Sequence, residues 1–306
     1  MSAPDRTWAK PGNASEPRAA AIRKEATEVL RPLADLAAPV APDAEAPWDQ
    51  LVRIAEHEVD LAAACAASLA FDGEFPGWRA SFAKRRLGRM VLERMRKGAI
   101  ADPTTIARDV VAAEVRTSQS GLARWLAELG PGGTAAVVRD AVSFAVAARA
   151  AFRTWPPREG TRFDDLFSWQ VPGRAVRLEA TVDARADATR SLLVFGGLDD
   201  EEGERRDLAW PALVATLRTG QVPNDVTRID LVAGDRRRVA VTDDVLDSGL
   251  TLAAAAVEAT MAARFAAPAP PTPGRWCRRC DGASTGECDA GAAWLRAPSS
   301  TNPYES

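Results

Sequence analysis

The sequence predicts an α/β fold preceded by a helical N-terminal portion, and three changes in its patterning carry that expectation. Apolar residues recur at helical spacing from about residue 48 to 155. From Val176 the period drops to two, and after Val241 it returns to helical. A chain of 306 residues is long enough to bury a full core.

Residues 1–47 are rich in Ala, Pro and Glu, with one helix expected from about Pro17 to Leu30 and a broken stretch at Pro39-Val40-Ala41-Pro42. Such composition predicts a mobile or loosely docked N-terminal arm. A helix is expected over Trp48–Phe71. In Leu87-Gly88-Arg89-Met90-Val91-Leu92-Glu93-Arg94-Met95 the spacing places Leu87, Met90, Val91 and Met95 on one face. Further helices are expected over 103–116, 121–129 and 134–153, interrupted by Pro131-Gly132-Gly133 and ended by Pro156-Pro157.

Val176 to Asp183 alternates apolar and polar residues, as a half-buried strand requires, whereas Ser191 to Phe195 is continuous and suits a central strand. A helix is expected around Leu208–Leu217. Strands at Val226–Val232 and Arg237–Val241 follow, turning through Ala233-Gly234-Asp235-Arg236. Asp243 and Asp244 suit the start of a helix running to about Phe265. The reading is one domain over 48–295, with a helical insertion at about 98–155, a cysteine segment at 270–290 and a frayed tail at 296–306.

With 39 Lys and Arg against 42 Asp and Glu, the net charge of −3 excludes a protein that is basic over its entire surface. Nucleic-acid binding would have to come from a local patch. No window approaches 18 uninterrupted apolar residues and no secretory leader is legible, so the expected location is cytoplasmic, without membrane partners. Cysteines there are expected as thiols or metal ligands rather than disulfides.

The strongest chemical signal is Trp276-Cys277-Arg278-Arg279-Cys280 with Cys288 eight positions on. Two thiolates three apart can turn around one soft metal centre, and a third can close on it from a short loop. Cys65, the remaining cysteine, would complete four. Alternatively Cys65 is a small buried apolar residue and the other three bind Zn²⁺ with Asp281 or Asp289. Spacing alone leaves zinc and an iron-sulfur centre equal.

One cysteine upstream, strand motifs in the middle and a CxxC-then-C cluster at the end is an order that resembles RecB-family nucleases of the PD-(D/E)XK superfamily, in their iron-sulfur, AddB-type branch. The resemblance runs from about Trp48 to Trp294. It implies a restriction-endonuclease-like core, a mixed central sheet flanked by helices, and a 4Fe-4S cluster on Cys65, Cys277, Cys280 and Cys288. Leu87-Gly88-Arg89-Met90-Val91-Leu92 is similar to the family's first-motif helix, and Leu178 to Asp183 to its first acidic strand.

These nucleases cut phosphodiesters with Mg²⁺ or Mn²⁺ held by carboxylates from two neighbouring strands, beside a Lys that orients water. Asp183 falls at the first acidic position, with Glu179 on the same strand face. The next strand should read apolar-apolar-Asp/Glu-x-Lys but reads Leu192-Leu193-Val194-Phe195-Gly196, and Leu92 stands where the first-motif helix places a His. The later helix reads Asp207-Leu208-Ala209-Trp210-Pro211, without the usual Gln and Tyr. The resemblance therefore implies a degenerate site with Asp183 and Glu179 as vestiges. Carboxylates borrowed from Asp199, Asp200, Glu201 and Glu202 would be the rescue, although such a run ordinarily forms a solvated loop.

Phosphate contacts are expected from Arg85, Arg86 and Arg89 on the first-motif helix and from Arg278 and Arg279 beside the cysteines, with further candidates at Arg205, Arg206 and Arg236 to Arg238. His57 lacks a partner at telling spacing and receives no role. Most tryptophans are expected in the core rather than stacked on bases. The leading expectation is a non-cleaving, iron-sulfur protein that binds DNA, single-stranded or at duplex ends, or a helicase or other DNA-processing partner, in repair, recombination or defence. An active Mg²⁺- or Mn²⁺-dependent nuclease with relocated acids, and a purely structural partner-binding protein with a zinc or iron-sulfur staple, are the alternatives.

Overall fold

The computed structural model describes residues 16–41, 50–70, 80–98, 101–117, 120–155, 161–196, 201–231, 233–274, 276–277 and 280–297. Arg275, Arg278, Arg279, Asp199, Asp200, Trp48, Trp78 and the last nine residues lie outside this set, as do the side chains of Glu201, Glu202, Arg205 and Asp281. The chain divides into two compact units, Met1–Phe75 with Glu159–Arg228 and Arg236–Ser306, and Pro76–Arg158 with Ile229–Asp235. The second takes in the helix expected as the first motif as well as the segment expected as an insertion.

The first unit is α/β, built on a mixed sheet with helices flanking it. Its strands are β1 (Val52–Ile54), β2 (Thr161–Gln170), β3 (Val176–Ala186), β4 (Ser191–Gly196), β5 (Asp225–Asp230) and β6 (Arg236–Ala240). They run in the order β1-β3-β4-β5-β6, with β2 also paired to β3. β1 is parallel to β3, whereas β2 and β4 are antiparallel to it. β2 covers one edge of β3 from Arg177 to Ala186. The opposite edge is shared, β1 pairing at Val176 to Leu178 and β4 at Ala184 to Ala186.

Between those two partners β3 lacks a neighbouring strand, and side chains complete its hydrogen bonding. The Trp210 indole Nε1 donates to Glu179 O at 3.0 Å, and Glu56 Oε1 accepts the Thr181 amide at 2.6 Å. Buried backbone polar groups need such partners. Pairing through side chains is invisible to any strand-period argument.

Helices α1 (Glu16–Leu33), α2 (Glu56–Cys65), α7 (Glu201–Thr219) and α8 (Asp243–Phe265) surround the sheet. α1 corrects the expectation of a mobile or loosely docked arm. Ala19, Ile22, Ala26 and Leu30, spaced by three or four, are fully buried in the common core. Arg23 donates from Nε to Leu217 O at 2.8 Å and from its terminal nitrogen to Arg218 O at 3.0 Å, so it caps the end of α7. Arg18 reaches Asp243 and Asp247 at the start of α8. Composition alone missed this because Ala is apolar enough to dock where neighbours approach closely.

Three further boundaries differ from expectation. Val52–Ile54 is a strand rather than part of a helix, too short for a period to show. β2 was not expected at all; Asp164 beside Asp165 and Leu166 beside Phe167 break the polar-apolar alternation of its sequence, although its pairing with β3 keeps one register throughout. The third helix of the insertion starts at Gly130, since Pro131 sits in its first turn, where a missing N–H costs nothing. α8 is the one described helix long and apolar enough to cross a membrane, and its Leu246, Ala253, Val257 and Met261 are buried in the core.

The described helices of the second unit are α3 (Ala80–Arg96), α4 (Pro103–Thr117), α5 (Gly121–Glu128) and α6 (Gly130–Thr154). Leu87, Val91 and Met95 form the buried stripe of α3, with Met90 half-buried beside it. A Cβ on Gly88 would lie 2.4 Å from the Phe144 ring, so this glycine lets α3 and α6 pack closely.

Candidate metal centre and acidic strand

The segment that follows α8 is rich in proline, which keeps it extended and carries it back along α2. There the Thr272 amide donates to Cys65 Sγ at 3.5 Å and the Thr272 hydroxyl to Ala64 O at 3.4 Å. Cys65 is the last residue of α2; Ser68 Oγ donates to its carbonyl at 2.7 Å, in a short 3-10 turn over Ala66–Ala70.

The CxxC segment then turns tightly. Cys277 N donates to Gly274 O at 2.9 Å and Cys280 N to Cys277 O at 3.3 Å. Gly274 N in turn donates to Cys277 Sγ at 3.4 Å. The Trp276 ring lies against Gly274, where a Cβ would come within 2.5 Å, and its Nε1 donates to Thr272 O at 2.7 Å.

Two short helices, α9 (Asp281–Thr285) and α10 (Asp289–Arg296), deliver the last cysteine. Cys288 is the residue that caps α10, its Sγ accepting the Gly291 amide at 3.4 Å, as a side-chain acceptor at a helix start does.

All four cysteines are free, and all four line one small cavity of about 10 Å³, together with Pro271, Pro273 and Trp276. Cys65, Cys277 and Cys288 are buried, while Cys280 is half-buried. The sulfurs of Cys65, Cys277 and Cys288 each receive a backbone N–H, from Thr272, Gly274 and Gly291. Among the described residues, no group of three or more His, Cys, Asp or Glu side chains is arranged to hold a single metal ion. Asp289, weighed as a zinc ligand, is exposed and does not line the pocket.

The acidic strand shows a different chemistry. Glu179 and Asp183, four apart on β3, are 3% and 4% exposed. Glu179 Oε2 accepts two bonds from Arg53 on β1, at 3.0 Å from Nε and 2.5 Å from the terminal nitrogen. That hydrogen bond pushes the Arg53 guanidinium above its ordinary value, against the opposing effect of burial. Asp183 Oδ2 accepts the Phe195 amide at 2.6 Å.

The antiparallel register pairs Ala184 with Leu193, so one step further along it Asp183 stands across from Val194. Val194 is 7% exposed and belongs to the hydrophobic core. At Gly196 a Cβ would lie 2.1 Å from Arg228 Nε, which is held by Asp207 at 2.9 Å. The space of a side chain there is filled by a guanidinium from β5. Leu92 is 6% exposed and packs within the second unit.

Of the phosphate candidates, Arg85 and Arg86 are exposed on α3 and Arg89 is half-buried. Arg206 is tied to Asp60 at 2.8 Å and Arg238 to the buried Asp225 at 2.7 Å. Trp210 and Trp155 are buried, 1% and 2% exposed. Arg53, Arg228 and Glu56 are the residues that sequence reasoning passed over. Only the tertiary contact distinguishes these charges from ordinary surface ones. No protein-family model matches the chain, and no curated protein matches it.

Proposed function

We propose that this protein is a PD-(D/E)XK nuclease-like, RecB-type chain that holds a 4Fe-4S cluster on Cys65, Cys277, Cys280 and Cys288 and binds DNA or a DNA-processing partner without cutting DNA. The observation that carries the reading is the single pocket lined by all four cysteines, one of them more than two hundred residues before the rest. Four thiolates suit either a cluster or zinc, and the order of the cysteines along the chain, which resembles the iron-sulfur branch, favours the cluster.

When bound, the cluster supplies a covalent bridge between α2 and the C-terminal segment. Around it the chain's own groups hold the cysteines in place: the amides of Thr272, Gly274 and Gly291 donate to the sulfurs of Cys65, Cys277 and Cys288. Trp276 and the prolines limit water at the pocket.

Loss of cleavage is supported by the fate of the acidic strand. Arg53 neutralises Glu179, and the Phe195 amide engages Asp183. Val194 offers no oxygen to a hard cation, and the place of the water-orienting Lys is a glycine backed by Arg228. Mg²⁺ needs more than one available carboxylate or a substrate phosphate.

The test is purification without oxygen, followed by absorption spectroscopy and analysis for iron, sulfide and zinc. A brown protein with broad absorption near 400 nm and roughly four irons per chain is expected. Stoichiometric zinc without iron would reject the cluster. Cleavage of single- or double-stranded DNA in Mg²⁺ or Mn²⁺, lost on Asp183→Ala, would reject the non-cleaving half.

A further inference from the structure

The second unit carries a trough that plays no part in the reading above. One stripe of α4 presents Arg108, Val111 and Val115 at spacings of three and four, and α6 faces it with Pro131, Thr134 and Val138. Two adjoining cavities, about 540 and 500 Å³, share Arg108, Pro131, Thr134 and Val138 and so form one continuous depression. Along α4 it reaches from Thr104 to Arg116, roughly 18 Å at 1.5 Å per residue. Three turns of another helix span the same length.

The floor is apolar and the rim is cationic. Val115 is 40% exposed, which leaves a large apolar group facing water near the Arg116 end of the trough. Arg108, Arg116 and Arg139 line it, and none of the described lining residues is acidic. Arg139 pairs with its neighbour Asp140 at 3.2 Å, whereas Arg108 and Arg116 form no ion pair among the described residues.

We infer that this trough docks an amphipathic helix of a partner protein whose apolar stripe meets the valines and whose flanks are acidic. Apolar anchors at i, i+3 or i+4 and i+7 match a groove of this length. Complementary charge on the rim sets partner choice and orientation. Nucleic acid fits it less well: among the described residues no aromatic side chain lines the trough to stack on bases, and phosphates would leave the valine floor uncovered. The inference goes beyond the proposed function, which places no surface for a partner, and it does not depend on the cysteine site.

The experiment uses the full chain and fluorescence anisotropy with three labelled probes. One is a synthetic helix of about 14 residues with Leu at i, i+3, i+7 and i+10 and Glu on both flanks; its twin carries Lys for each Glu; the third is single-stranded DNA. The Glu helix should bind about tenfold more tightly than its twin, and Arg108→Glu with Arg116→Glu should reverse that order. Val115→Asp, a change at an exposed position, should weaken the Glu helix by about tenfold, with circular dichroism unchanged. Equal binding of the two helices, or a Glu helix indifferent to the arginine changes, would overturn the inference. So would loss of DNA binding in the arginine variant with peptide binding intact, which would assign the trough to nucleic acid. Iron content, read in the same samples, reports separately on the cysteine site.

Discussion

Cys65 and Thr272 meet although 207 positions separate them, the Thr272 amide donating to the Cys65 sulfur at 3.5 Å. This contact brings the end of α2 against the segment that carries the other three cysteines. Replacing Cys65 by Ala should therefore release iron nearly as completely as Cys280→Ala, and both variants should lower the melting temperature in the same way, because metal bound to the native state stabilises it by mass action. Full iron in Cys65→Ala, measured on anaerobically purified protein, would show the ligand set to be wrong.

At Gly196 a methyl group would collide with Arg228, 2.1 Å away. Gly196→Ala should lower stability in urea unfolding by about 1–3 kcal/mol, the usual cost of forcing atoms into a packed site. Combining it with Arg228→Ala should cost less than the sum of the two single changes, since truncating Arg228 removes the atoms that the new methyl group strikes. Strict additivity would mean that Arg228 is not what excludes a side chain here.

Arg53→Ala should leave the Glu179 carboxylate, 3% exposed, without its cation. An unpartnered buried group of this kind costs about 1–3 kcal/mol. The Arg53→Ala, Glu179→Gln pair should regain part of that loss, because the charge itself is gone. Denaturant midpoints of the four proteins give the coupling directly, and a coupling of zero would make the pair incidental.

DNA binding, if it runs through α3, should weaken steeply with salt. Changing Arg85, Arg86 and Arg89 to Ala should reduce the slope of log K against log salt by up to about 2.7, at roughly 0.9 per phosphate contact in duplex DNA. Binding unchanged by both salt and the triple substitution would remove α3 from the interface and leave protein partners as the remaining role.

Much of the architecture was legible because repeating patterns report it. The alternation of Val176 to Asp183, the unbroken apolar run of Ser191 to Phe195, and the helical spacing after Val241 each mark an element in which one side chain follows another by rule. The short strand at Val52–Ile54 and the whole of β2 were not legible in this way: one has three residues, and the other breaks its alternation at Asp164-Asp165 and Leu166-Phe167. The docking of α1 was hidden for a related reason, since an alanine-rich stripe becomes a core only when a second surface comes close to it.

For the candidate site, the sequence by itself determined the donor atoms: the number and spacing of the cysteines, the absence of an acid at Val194 and of a Lys at Gly196. Such facts are properties of the chain, whatever its fold. Only the tertiary structure decided which of these groups share a space. It brings Cys65 to the pocket of Cys277, Cys280 and Cys288, sets Arg53 on Glu179, and fills the space beside Gly196 with Arg228. Neighbours across strands and between a helix and a distant loop are set by packing and hydrogen-bond completion over the whole unit, which no local spacing encodes.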